Sequence, residues 1–154
     1  MKKMISIVMA ALLLMAVAHS AFAEDFSAQK ENALAALKVS LPDAVVDYAV
    51  RERDDGRDEW NLFFVLGNQL GECKVLEATN EICKVTLYEK PEGALTAGEA
   101  MARLSQLKGA VTVVELELDH DDGSLFYEGE AELGGKRYEF EMTVAGEIIE
   151  WERD

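Results

Sequence analysis

The chain has 154 residues, of which 30 are acidic and 15 basic, with a formal net charge of −15 and two cysteines. That balance excludes nucleic-acid binding, which needs Lys and Arg to neutralise phosphates. It also disfavours adhesion to anionic lipid, and it permits cations or a basic protein as partners. Apolar residues alternate regularly with the charges, and aromatic residues recur throughout, which separates the chain from a disordered acidic tail.

Residues 1–23 read as a secretory signal peptide. Lys2 and Lys3 precede an apolar run from Met4 to Val17 that only Ser6 interrupts, and Ala21-Phe22-Ala23 follows the small-x-small cleavage pattern. The run is shorter than the ~20 residues of a spanning helix. The expectation is cleavage after Ala23, no lipid anchor because no Cys follows, and a product in the periplasm or outside the cell. Without Lys2 and Lys3, 13 basic residues face 30 acidic ones, a net charge of −17.

The remainder reads as a tandem repeat. Asp54-Asp55-Gly56 recurs as Asp121-Asp122-Gly123, 67 positions on, and at the same offset Trp60 meets Tyr127, Leu66 meets Leu133 and Gly67 meets Gly134. After a one-residue slip, Glu81-Ile82-Cys83 meets Glu147-Ile148-Ile149. The boundaries expected are 24–90 for the first repeat and 91–154 for the second.

Each repeat opens with a predicted helix. In the first, Ser27 is the expected N-cap, Leu34, Leu37 and Leu41 lie at helical spacing, and Pro42 ends the run. In the second, Thr96 caps and Glu99 completes a capping box. Met101, Leu104 and Leu107 form the expected apolar stripe there, and Gly109 ends it.

Strands follow each helix. In the second repeat Val114, Leu116 and Leu118 alternate with glutamate and aspartate, and so do Tyr127, Ala131 and Leu133 after the Asp121-Asp122-Gly123 turn. Gly134-Gly135 makes a hairpin, and Tyr138, Phe140, Met142 and Val144 alternate in turn, with Ile149 and Trp151 expected inward on a last strand. Period-two alternation means one buried and one wet face. The fold class is therefore α+β: two tandem repeats, each a helix followed by a roughly four-stranded antiparallel sheet.

The second repeat resembles the PepSY domain in its helix, its long hairpins and its ending, Tyr138-Glu139-Phe140-Glu141 followed by Ala145-Gly146-Glu147-Ile148-Ile149-Glu150. It departs from that pattern at Ala145, where Thr is usual, and at Thr143, near where Asp is often found. The first repeat departs further, with Asn80 at the turn glycine. The tandem, exported arrangement is similar to PepSY-like proteins described as resembling β-lactamase inhibitor proteins. The resemblance implies a non-enzymatic module of exported proteins, associated with inhibition where it occurs in metallopeptidase propeptides, and it carries over no catalytic residue.

Cys73 and Cys83 are expected to pair in an oxidising compartment. Through the repeat they align with Phe140 and Ile149, both expected inward, which would set the thiols opposite each other on adjacent strands. Such a bridge would contribute up to about 2–3 kcal/mol. The other readings are two buried free thiols, or a redox pair, which lacks the Cys-x-x-Cys spacing.

The outward positions of the second repeat are acidic: Glu115, Glu117, Asp119, Glu128, Glu130, Glu132, Glu139, Glu141, Glu150 and Glu152, with no Lys or Arg among them. A solvated face explains this at the simplest level. A docking face for a basic partner, or weak and diffuse binding of divalent cations, explains it functionally. Asp119, Asp121, Asp122 and Gly123 fall short of calcium-loop spacing, so no metal site is expected.

In the first repeat Phe63 and Val65 point away from Trp60, Leu62, Phe64 and Leu66, on the side expected also for Ile82. Either that strand is buried on both faces by the other repeat or its helix, or Phe63, Val65 and Ile82 form an exposed apolar patch marking an interface. His120 reads as a solvated turn residue, and no catalytic motif or cofactor loop occurs. The function expected is a non-catalytic binding module, with a partner protein in the cell envelope or exterior, that inhibits or regulates an exported enzyme such as a peptidase. The alternatives are a periplasmic cation-binding protein using the glutamate face and a structural envelope accessory. No cofactor is expected.

Overall fold

The computed structural model describes residues 27–154, so the signal peptide and its cleavage site at Ala23 lie outside the described residues. Residues 33–154 pack as one compact unit. Helix α1 (residues 27–40) leads into strands β1 (Val45–Asp54), β2 (Arg57–Leu66), β3 (Gln69–Leu76) and β4 (Ile82–Glu89). Helix α2 (Ala97–Lys108) leads into β5 (Thr112–Asp121), β6 (Ser124–Leu133), β7 (Lys136–Thr143) and β8 (Ile148–Arg153). Each set of four strands forms one antiparallel meander, in the orders β1-β2-β3-β4 and β5-β6-β7-β8. Among the described residues two helices, each preceding a four-stranded sheet, match the expected α+β class.

Local chemistry accounts for the turns and caps. Asp55-Gly56 and Asp122-Gly123 join β1 to β2 and β5 to β6 with positive φ at both positions. A two-residue hairpin of this hand demands that conformation, which Asp tolerates and Gly favours. At α2, the Thr96 hydroxyl accepts from the Glu99 amide while the Glu99 carboxylate accepts from the Thr96 amide, as the capping box requires. Gly109 closes the helix. Leu107 is 48 % exposed rather than part of the apolar stripe, because the buried face is centred on Ala97, Ala100, Met101 and Leu104.

Four β-bulges recur in matched places. The extra residues are Asp47 on β1 and Cys83 on β4, then Val114 on β5 and Ile149 on β8. Asp47 and Val114 are 67 positions apart, and Cys83 and Ile149 are 66 apart, the offsets of the sequence repeat. A bulge leaves one residue unpaired and bends its strand, so three sequence expectations change. Val114 drops out of the inward series, and Val113 packs against the core. Ile149 is 60 % exposed, and Ile148 packs toward the core in its place. Cys73 faces Val85 rather than Cys83. Both thiols are free; Cys73 is buried, with burial pushing its pKa up to about 12, and Cys83 is exposed with its Sγ 3.4 Å from the Lys74 carbonyl.

Two apolar clusters hold the fold. In the smaller, Ala33 and Leu37 of α1 cover Trp60, Leu62, Phe64, Cys73 and Val75 on one face of the first sheet. The larger joins Ala100, Met101 and Leu104 of α2 to Leu116, Leu118, Tyr127, Phe140 and Met142 of the second sheet, and also takes in Val50, Phe63 and Leu70 from the other face of the first. Each fully buried Leu or Phe stabilises by about 1.5–3 kcal/mol. The first sheet is therefore covered on both faces. The exposed apolar patch of Phe63, Val65 and Ile82 does not exist: Phe63 is 2 % exposed and Val65 packs beside it, while Ile82 lies on the opposite face, against the α1 cluster.

The bulge at Asp47 has a further use. It aims the Asp47 carboxylate at the start of α2, where Oδ2 accepts from the Gly98 amide at 2.9 Å. A Cβ at Gly98 would stand 2.8 Å from that oxygen and 2.9 Å from the Asp47 carbonyl, so only glycine fits. A carboxylate on an orphan N–H at a helix N-terminus contributes about 1 kcal/mol. Asp47→Ala should lower the free energy of urea unfolding by about that amount; an unchanged midpoint would show that the contact contributes nothing.

Candidate functional site

The second sheet turns one face to α2 and the core. Its other face is paved with glutamate. Strand register sets eight carboxylates in two complete rows that cross all four strands. One row runs Glu115, Glu130, Glu139, Glu152, and the other Glu117, Glu128, Glu141, Glu150, each residue directly opposite the next. At about 4.8 Å between strands, each row spans roughly 15 Å. Glu132 lies beside this grid, opposite Arg137. The structure thus brings the expected acidic residues onto one surface. Seven of the grid glutamates, all but Glu152, line a shallow concavity of about 310 Å³ with Gly129 and Phe140.

Gly129 allows that surface to form. A Cβ there would stand 2.0 Å from the Glu115 carbonyl oxygen, so β6 can pass the bulged β5 only without a side chain. The few cations near the grid stand at its rim. Arg137 reaches Glu130 at 3.0 Å and Glu132 at 3.5 Å, and Lys74 reaches Glu117 at 2.6 Å. Partial burial, reinforced by Glu130 and Glu117, raises the Glu115 pKa. Partial burial, then Asp119, Glu117 and Glu141, does the same for Glu128. No group of three or more His, Cys, Asp or Glu among the described residues is arranged to hold a metal ion.

A second polar cluster, not expected from sequence, lies between the sheets. Strand β5 is an edge strand, so the backbone groups of Leu116 and Leu118 that face away from β6 have no strand partner. Side chains from the first sheet supply partners instead. The Leu116 amide donates to Glu52 at 2.9 Å, the Leu118 amide donates to Glu72 at 3.3 Å, and the Leu116 carbonyl accepts from Asn61 at 2.7 Å. Asn61 also donates to Glu72 at 2.8 Å. Lys74 stands 3.5 Å from both Glu52 and Glu59. All five of these residues are buried. Burial opposes the charge on Lys74, but its hydrogen bond to Glu117 and the charges of Glu52, Glu117 and Glu72 prevail and raise its pKa. The sequence did hold a signal. Glu59, Asn61, Glu72 and Lys74 alternate in phase with Phe63, Val65 and Leu70, so polar and apolar residues share one face.

Six directly opposed glutamate pairs on the grid each cost some tenths of a kcal/mol, together on the order of 1–3 kcal/mol. Glu141 opposes both Glu128 and Glu150, so Glu141→Lys turns two repulsive pairs into attractive ones. It should raise the melting temperature at low ionic strength, by the equivalent of about 0.5–1 kcal/mol, with a smaller gain in high salt. An unchanged or lowered melting temperature would show that the grid carries no repulsion.

No protein-family model matches the chain, and no curated protein sequence matches it. Among solved structures, it is similar to the crystal structure of a "putative lipoprotein" from Clostridium difficile 630, at 17 % identity and a TM-score of 0.44, over 79 % of this chain and 90 % of that one.

Proposed function

We propose that the chain is an exported, non-catalytic binding module, built from two PepSY-like units, that docks a basic protein partner on the glutamate grid of its second sheet. The observation that carries this reading is the grid itself: eight carboxylates in two unbroken rows of like pairs, with cations only at the rim. A sheet shaped for stability alone would intersperse lysine. A face that accepts repulsion in the free state gains most when a cationic surface covers it, and such a field also speeds association with a basic partner. Export is supported by the leader-like segment ending at Ala23, and among the described residues no helix is long and apolar enough to cross a membrane. On this reading the module inhibits or regulates the envelope or extracellular protein that it covers.

The test is affinity capture from an envelope extract with the natural chain and with a variant carrying Glu128, Glu130, Glu139 and Glu141 as glutamine. The expected result is a basic protein retained by the natural chain at low salt, released as salt rises, and lost by the variant. Equal retention by both chains would rule out docking through the grid. A melting temperature that climbs in millimolar calcium, with no protein captured, would favour binding of divalent cations instead.

A further inference from the structure

The cluster between the sheets carries more acid than base. Glu52, Glu59 and Glu72 are 6 %, 4 % and 0 % exposed, and the one buried ammonium among them is Lys74. From β4, Lys84 approaches Glu72 at 3.8 Å, but its side chain is 45 % exposed. From β5, Glu117 draws on the same Lys74 at 2.6 Å. Glu115 adds a further negative charge beside Glu52, and Asp54, on the same strand as Glu52, adds one beside Glu115. Glu59 Oε1 makes no hydrogen bond, and the Lys74 ammonium stands 3.5 Å from it. A carboxylate taken out of water without a full counter-charge tends to neutralise by binding a proton.

We propose that the joint between the two sheets is a proton-linked clasp: seating β5 on the first sheet takes up protons onto the buried carboxylates of Glu52 and Glu72, so the sheets grip most firmly in mildly acidic surroundings and loosen as the medium turns alkaline. The geometry gives protons a route, because Glu52 and Lys74 open with Glu115 and Glu117 on a concavity of about 120 Å³. The chemistry is local to the clasp. Each protonated carboxyl keeps an oxygen to accept from the β5 backbone, at Leu116 for Glu52 and at Leu118 for Glu72, while its charge is removed.

Burial pushes the Glu52 carboxyl up to about 7, against the opposing influence of the Leu116 amide and Lys74. Glu72 is also raised by burial, against Asn61, Lys84 and the Leu118 amide. A folded-state value above that of the unfolded chain means that the folded state binds more protons. Its contribution is complete below the ordinary glutamate range, near pH 4.3, and is lost as pH rises through about 7.

The experiment is equilibrium denaturation of the full chain from pH 5 to 8.5 at fixed ionic strength, comparing the natural chain with Glu52→Gln and with Glu147→Gln. Glu147 is an exposed turn residue, so its variant removes one charge away from the clasp. The natural chain and Glu147→Gln should lose stability in parallel as pH rises. Glu52→Gln should show a smaller loss, with its unfolding constant increasing on the order of 10- to 100-fold less across the range. If Glu52→Gln runs parallel to the other two, the pH dependence belongs to overall charge and the clasp is not proton-linked. Should Glu52→Gln fail to fold, carboxyl-carbon titration of the natural chain decides: a Glu52 midpoint well above the ordinary glutamate range supports the clasp, and an ordinary midpoint overturns it.

Discussion

The free edge of β5 is closed by side chains rather than by another strand. An open row of backbone N–H and C=O groups invites pairing with other chains, and when buried without partners it costs free energy at every group. Glu52, Asn61 and Glu72 meet three of these groups at Leu116 and Leu118, and they come from a sheet whose strands pair with none of the second. That contact lets two four-stranded meanders share one apolar core. It also places Phe63 of the first sheet edge-on to Tyr127 of the second, with ring centroids 6.5 Å apart.

The alternation of β5 ties the clasp to the grid. Leu116 and Leu118 offer their backbone to the first sheet, and Glu115 and Glu117, one residue out of phase, belong to the glutamate rows. Lys74 spans the two systems, reaching Glu117 on the outer face and Glu52 and Glu59 in the interior. A cationic partner seated on the rows would therefore act on the same electrostatic balance that the clasp relies on. Charge neutralised on the outside and protons bound on the inside would relieve one accumulation of carboxylates.

Much of this was legible in the sequence, where the physics is local. The Asp-Gly hairpins, the Thr96-Glu99 box and the period-two glutamates each follow from a few neighbouring residues. The bulges were not legible, because an extra residue in a strand reads the same as a regular one until its partner is known. That is why Cys83 and Ile149 take positions one step from those expected. The burial of Glu52, Glu59, Glu72 and Lys74 was hidden for a different reason. Charge on a strand face signals solvent unless something polar and unpaired covers it, and an edge strand arriving some 45 to 65 residues later leaves no local trace beyond the phase these residues share with Phe63, Val65 and Leu70. The fate of Phe63 and Val65 turned on the same missing knowledge.

The first sheet holds the free edge of β5, and amide hydrogen exchange reads that hold directly. The Leu116 and Leu118 amides should exchange as slowly as those of the interior strands β2 and β6, although β5 has a strand neighbour on one side only. Exchange at Leu116 and Leu118 as fast as at the outward amides of the other edge strand, β8, would contradict it.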